Sequence, residues 1–374
     1  MLRYHMVVVT ADTALKRAVK RLTTATGASA DFVVDASAIP PDIKINLAII
    51  DARRADPTAQ LLKAIPPTSR IVFIIQGDSL ISKLHLLGDP RVTSLFCYDA
   101  QFDDDEFISS ATKGLRGEVF GLQKYFPWGV TTFAMKVTNY EEKGRAIETL
   151  LEYATLAGCR GPVKDRIQLV CDELMMNGLY HAPIDENGAE LYAGKTLKEL
   201  AHLERVAAIQ VQYGCSGRYF GVSVRDSGGS LSRSKLLEYM LKAKSAVREL
   251  ETKSLGAGLG LVSTLRSVSK LVFNIEVRSS TEVIALFDME LFAKGSIGAR
   301  SLHVFDVPRK PVERDHDADE TMRTPRVAGG SQNAVIYAIA TVLFLLAGWM
   351  AWQYWQGRQT HEPDSVPAST SPAN

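Results

Sequence analysis

Residues 161–183 read GPVKDRIQLVCDELMMNGLYHAP. Ile167, Val170 and Leu174, with the neighbouring Met175, recur at helical spacing and predict an amphipathic helix. Glu173 and Asn177 stand four apart, so both side chains project from the same face, and His181 follows one turn later. A solvated helix face is the ordinary reading of such a pair. In a cleft, a carboxylate and an amide are costly unless something polar meets them.

Working outward, two further stretches share that character. VQYGCSGRYFGVSVRDSGGS (211–230) contains two short β-rich runs, the second ending at Arg225-Asp226 and followed by Ser227, Gly228 and Gly229. A carboxylate at a strand end, next to residues that let the backbone turn tightly, suits recognition of a flat polar ligand. SLGAGLGLVSTLRSVSKLVFNIEV (254–277) places Gly256, Gly258 and Gly260 just before a helix starting near Leu261. Backbone N–H groups free of side-chain bulk at a helix start make an anion site. LVFNIEV and EVIALFDM, separated by RSST, then predict an antiparallel hairpin, and KGRAIETLLEYATLAG (143–158) predicts a long helix upstream. Taken singly, the glycine run is commonly a packing device.

The order of these motifs resembles the ATPase domain shared by histidine kinases, gyrase-type ATPases, Hsp90 chaperones and anti-sigma-factor serine kinases, the GHKL or Bergerat fold. The resemblance covers roughly 130–300 and is nearest to the anti-sigma-factor kinases. It implies ATP and Mg²⁺ as cofactors, Glu173 as general base, and Asn177 as the magnesium ligand. It also implies Asp226 as acceptor for the adenine amino group, Gly228 behind the base, and Gly256, Gly258 and Gly260 around the phosphates. Ser230 stands where the family pattern has glycine, and the basic stretch 231–253 corresponds to the family's lid. No single lysine in that stretch stands out as a phosphate ligand. A sensor histidine kinase would need its substrate histidine on a helical hairpin, and none of the histidines at 5, 85, 181, 202, 303, 316 and 361 lies on one.

Upstream, MVVVT (6–10), DFVVD (31–35), NLAIID (46–51), RIVFII (70–75) and TSLFCY (93–98) predict strands, with helices over 12–25 and 79–88. Near-continuous apolar strands separated by crossover lengths belong to a doubly wound parallel sheet. Asp12 and Asp51 fall at strand ends, where ligands of such sheets bind. This part resembles a response-regulator receiver domain, with Asp51 at the place of its phosphorylatable aspartate. Gln76-Gly77 and Tyr98-Asp99 replace the family's hydroxyl and lysine, so a degenerate receiver is expected, with Asp51 as a candidate phosphoacceptor. For Asp51 alone, the plain alternative is a carboxylate capping the loop after a strand.

The run AVIYAIATVLFLLAGWMAWQYW (334–355) carries no charged side chain and predicts a transmembrane helix. Lys310, Arg314, Arg323 and Arg326 precede it and only Arg358 follows closely, which places the larger part in the cytoplasm. The expected organisation is a flavodoxin-like parallel-sheet domain at 1–118, a two-layer α+β ATPase domain at 119–302, a linker at 303–332, a membrane helix at 333–355 and a polar tail at 356–374. Over 374 residues, 46% apolar and 23% charged, 43 Lys and Arg balance 42 Asp and Glu. A wholly disordered chain is thereby excluded, and no basic stripe points to nucleic acid. Four cysteines at 97, 159, 171 and 215 form no metal-binding spacing.

The combined expectation is a single-pass cell-membrane protein that binds ATP and acts as a serine/threonine kinase or a partner-switching regulator. Its partners would be an antagonist or regulator protein, the membrane, and for a dimer a second copy. The competing readings are a non-catalytic scaffold and an atypical histidine kinase.

Overall fold

The apolar runs of the N-terminal part form strands, covered on both faces except for the half-buried edge strand at 29–33. In the computed structural model, which describes residues 4–39, 43–77, 79–98, 103–203, 206–249, 259–293 and 298–308, they become β1 (His5–Val9), β2 (Ser29–Val33), β3 (Leu47–Asp51), β4 (Arg70–Ile75) and β5 (Val92–Cys97). All five run parallel in the order β2-β1-β3-β4-β5, the flavodoxin-like arrangement. Helix α1 (Thr13–Ala25) starts where Asp12 Oδ1 accepts the N–H groups of Ala14 at 2.7 Å and Leu15 at 3.0 Å. Its Leu15, Val19 and Leu22 pack with Met6, Val8 and Ile49, and each such burial contributes about 1.5–3 kcal/mol. Helix α2 (Ala59–Ala64) is short and capped by the Thr58 hydroxyl. The expected helix over 79–88 is instead a 3-10 turn at Leu84–Gly88, because Leu84, Leu86 and Leu87 are all buried and do not share one 3.6-residue face. Helix α3 (Asp104–Arg116) follows, capped by Asp103.

The second part adds β6 (Thr132–Val137), α4 (Tyr140–Leu156), α5 (Gly161–Met176), α6 (Leu197–Ala201), β7 (Ile209–Cys215), β8 (Tyr219–Asp226), α7 (Arg233–Glu249), α8 (Leu259–Ser267), β9 (Lys270–Glu276), β10 (Ser280–Asp288) and α9 (Met289–Ala293). Strands β6, β7, β8, β10 and β9 are neighbours in that order and antiparallel, with the predicted hairpin realised as β9–β10. One sheet face carries α4 and α5. On the other, Leu122, Tyr125 and Phe126 pack against Ile284, Leu286 and Phe305.

The expected fold class needs correction in two respects. The parallel and antiparallel strands do not form separate sheets. A last strand, β11 (Ser301–Val307), lies between β5 and β9 and joins everything into one eleven-stranded mixed sheet. It pairs antiparallel with β5, Leu302 opposite Leu95, and parallel with β9, Leu302 opposite Leu271. The physical reason is in the strand: Leu302 and Val304 enter the main core while Phe305 enters the core on the opposite face, so SLHVFDV must be covered on both sides. Residues 303–307, expected as the start of a linker, are therefore strand.

The second correction concerns the membrane. Among the described residues no helix is long and apolar enough to cross a bilayer, and the stretch 333–355 lies outside them. Membrane attachment and a membrane location are accordingly not retained.

The β11 join also gathers buried charge. Glu106 on α3 accepts from His303 Nε2 at 2.8 Å and from the Ser301 hydroxyl, and lies 3.1 Å from Lys270 Nζ. Lys270 reaches Asp103 at 2.8 Å, and Asp103 also accepts the Tyr219 hydroxyl at 2.6 Å. Burial pushes the His303 imidazole below its ordinary pKa. Burial also opposes charge on Glu106, but Lys270 and His303 outweigh it and hold the carboxyl below its usual value.

Candidate functional site

Helix α5 ends on one wall of a cavity of about 400 Å³, within the usual size of small-molecule sites. The apolar stripe foreseen at Ile167, Val170, Leu174 and Met175 is buried, which turns Glu173 and Asn177 away from the core. Asn177 Nδ2 donates to Glu173 Oε1 at 3.0 Å. That bond leaves the amide oxygen of Asn177 for another partner. The helix then widens into a π turn at Asn177–His181, closed by Ala182 N–H donating to Asn177 O at 2.8 Å.

Strand β8 supplies the floor. Its last residue, Asp226, lines the cavity and accepts the Gly228 N–H on Oδ1 at 2.8 Å. Burial raises its carboxyl to a pKa of about 6, against the lowering effect of the N–H groups around it. Thr281 of β10 stands directly opposite in the ladder and also lines the cavity. Gly228 has no room for a side chain: a Cβ would stand 2.1 Å from Ala182 O. The turn after Asp226 thus presses against the end of the α5 segment and ties two of the three motifs together. Ser230, the departure from the family pattern, donates its hydroxyl to His181 O at 3.1 Å and so reinforces the same junction.

The mouth is formed by α7 and α8. Gly260 comes so close to Glu173 that a Cβ would lie 2.0 Å from Oε1, so a side chain there would displace the Glu173 carboxylate. Lys235 Nζ bonds Glu190 Oε1 at 2.9 Å, and His181 Nδ1 lies 3.4 Å from Glu190 Oε2. Burial works against the charge of Glu190, yet Lys235 and His181 keep its carboxyl below the ordinary value.

The structure thus brings Glu173, Asn177, Asp226 and Gly260 to one cavity, with Gly228 forming the turn beneath. Gly256 and Gly258 lie outside the described residues. Sequence reading missed Glu190, Lys235, Tyr239 and Thr281 in the lining. The basic stretch at 231–253 signalled Lys235 only as one among several, and nothing local marks Glu190.

Asp51 is elsewhere, at the end of β3 beside Asp12. Arg53 spans the two: its Nε and Nη2 donate to Asp51 at 2.9 and 2.8 Å, and Nη2 donates to Asp12 at 2.7 Å. The Thr10 hydroxyl completes Asp51 at 2.9 Å, and the guanidinium lies over the Tyr98 ring. Burial raises the Asp51 pKa, but Arg53 and Thr10 outweigh it and the net shift is downward. Arg53 holds Asp12 down at about 2. A cation built into the chain therefore bridges this carboxylate pair and offsets one of its two charges, and no metal-holding group of His, Cys, Asp or Glu occurs among the described residues.

No family model matches the chain, and no curated protein matches it. Among solved structures, it is similar to the crystal structure of a response regulator receiver protein from Burkholderia phymatum, at 20% identity, covering 30% of this chain and 95% of that one, with a TM-score of 0.25. That likeness is too weak to decide fold or function. The expectation of a membrane-tethered serine/threonine kinase or partner-switching regulator, with its scaffold and histidine-kinase alternatives, is withdrawn. It required a membrane helix that the described residues do not contain, and no matching family or curated protein supports the kinase or signalling assignment.

Proposed function

We propose that the cavity between α5, α7, α8 and the β8–β10 strands binds an adenine nucleotide with its magnesium ion. The observation that carries the reading is the half-buried Asp226 carboxylate on the cavity floor, held by a glycine turn and lining the same cavity as the Glu173–Asn177 pair. A purine amino group donates where Asp226 accepts, and apolar Val224, Phe273 and Val283 offer surface for a flat ring. The same residues carry the resemblance to histidine-kinase-like ATPases.

The donor set at the mouth fits the ion. Magnesium bound with nucleotide phosphates takes one or two hard protein oxygens and completes its shell with phosphate and water, and the Asn177 amide oxygen is such a ligand. When bound, it would offset the charge of the phosphates. Lys235, now paired with Glu190, supplies a cation at the same rim.

Calorimetric titration of the full-length chain with ADP and ATP, with and without Mg²⁺, tests the reading. Binding that prefers adenine over guanine nucleotides, weakens in Asp226→Asn and loses its Mg²⁺ dependence in Asn177→Ala is the expected result. Absence of heat at several temperatures from folded protein overturns it.

A further inference from the structure

Helix α7 is a wall shared by the cavity and the parallel-sheet half. Lys235, Leu236 and Tyr239 line the cavity from its first turns. Lys235 also grips Glu190, which sits on the 184–190 loop closed by the Ile184–Glu190 bridge.

The other stripe of the same turns faces away from the cavity. Arg233, whose side chain is only 12% exposed, donates Nη2 to the Val92 carbonyl of β5 and Nη1 to the Val304 carbonyl of β11 at 3.4 Å. Four residues on, Leu237 Cδ2 lies 3.9 Å from where a Cβ on Gly88 would stand, at the end of the Leu84–Gly88 turn. Leu236 and Met240 share a core cluster with Leu84 and Leu87. Neither Arg233 nor Leu237 lines the cavity.

We propose that α7 couples the cavity to the segment 84–97 of the parallel-sheet half, so that the packing of that segment regulates ligand binding. This rests on the nucleotide-binding reading for its ligand, but the coupling itself is a property of the helix. A helix packed on both sides cannot shift toward one without changing the other, because close-packed contacts tolerate little displacement. Arg233 and Leu237 are positioning residues: they act on the cavity through Lys235, Leu236 and Tyr239. Coupling is reciprocal, so occupancy of the cavity also stabilises 84–97.

Hydrogen exchange on the full-length chain, with and without Mg²⁺-ADP, together with Leu237→Ala, Leu237→Met and Arg233→Met, provides the test. Without any nucleotide, Leu237→Ala and Arg233→Met should speed exchange at 184–190 and 226–231 while the β1–β3 strands stay unchanged. The near-isosteric Leu237→Met should restore the wild-type pattern. With Mg²⁺-ADP, wild-type exchange at 84–97 should slow, and the two disruptive variants should bind about fivefold or more weakly, the usual scale of coupling between sites. Unchanged exchange at 184–190 and 226–231 in both disruptive variants overturns the coupling, whether or not nucleotide binds. Wild-type chain that binds no nucleotide, yet shows the variant effect on those loops, sinks the ligand assignment and leaves the coupling standing.

Discussion

Lowering the pH should weaken nucleotide binding through Asp226. Its carboxyl titrates near pH 6 in the folded chain, because burial disfavours the charge, against an ordinary value of 3.8. Only the ionised form accepts freely from a purine amino group. With one group titrating near 6, about nine tenths is ionised at pH 7 and about one tenth at pH 5, so affinity should fall roughly tenfold over that interval, about 1.4 kcal/mol. The effect on the empty protein has the opposite direction. The folded state holds the extra proton between 3.8 and about 6, so this group's contribution to stability is full below 3.8 and is lost as pH rises through 6, by about 3 kcal/mol in all. The assay is calorimetric titration of Mg²⁺-ADP from pH 5 to 7.5 on wild type and Asp226→Asn. The nucleotide's own titration is common to both, and the asparagine keeps an acceptor oxygen but cannot ionise. The difference between them should therefore carry the tenfold change. Identical pH profiles would refute the assignment of Asp226 to the base.

Three further outcomes follow from the geometry. Gly228→Ala places a methyl group 2.1 Å from Ala182 O, so the turn must open; thermal unfolding should show a loss of about 1–3 kcal/mol, and ADP binding should be abolished. Glu106→Ala removes the carboxylate that accepts from His303 and one of the two that pair with Lys270, Asp103 remaining, and should cost about 1–3 kcal/mol in chemical denaturation; a change below about 0.5 kcal/mol would show that the cluster contributes little. Arg53→Ala should destabilise the chain at pH 7. In wild type the Asp12 contribution is present above 3.8 and is lost as pH falls toward about 2, so the gap between wild type and variant should narrow in acid denaturation over that range.

The parts legible in the sequence are those with local signatures. MVVV, LAII and IVFII announce β1, β3 and β4 because each is covered on both faces. Glu173, Asn177 and Asp226 were readable because their spacing on a helix and at a strand end already fixes where they point. Strand β6 was not foreseen: it lies at the sheet edge, and Phe133 and Ala134 are exposed, so the two-residue alternation is blurred. Strand β11 escaped because its partners are remote and a charged, proline-containing stretch begins right after it. The bridge from Arg53 to Asp12 and the pairing of Glu190 with Lys235 form only across the fold. No window of a dozen residues contains either pair.

The position of β11 also sets a timetable for synthesis. Ser94 of β5 and His303 of β11, hydrogen-bonded in the sheet, are 209 residues apart. At ~5–20 residues per second, β5 leaves the ribosome tens of seconds before the strand that covers its edge. Throughout that interval the nascent parallel sheet presents an open row of backbone donors and acceptors, the template on which chains pair with one another. Ribosome-bound chains arrested before residue 301 should therefore be the species most prone to aggregate and the ones that draw chaperones.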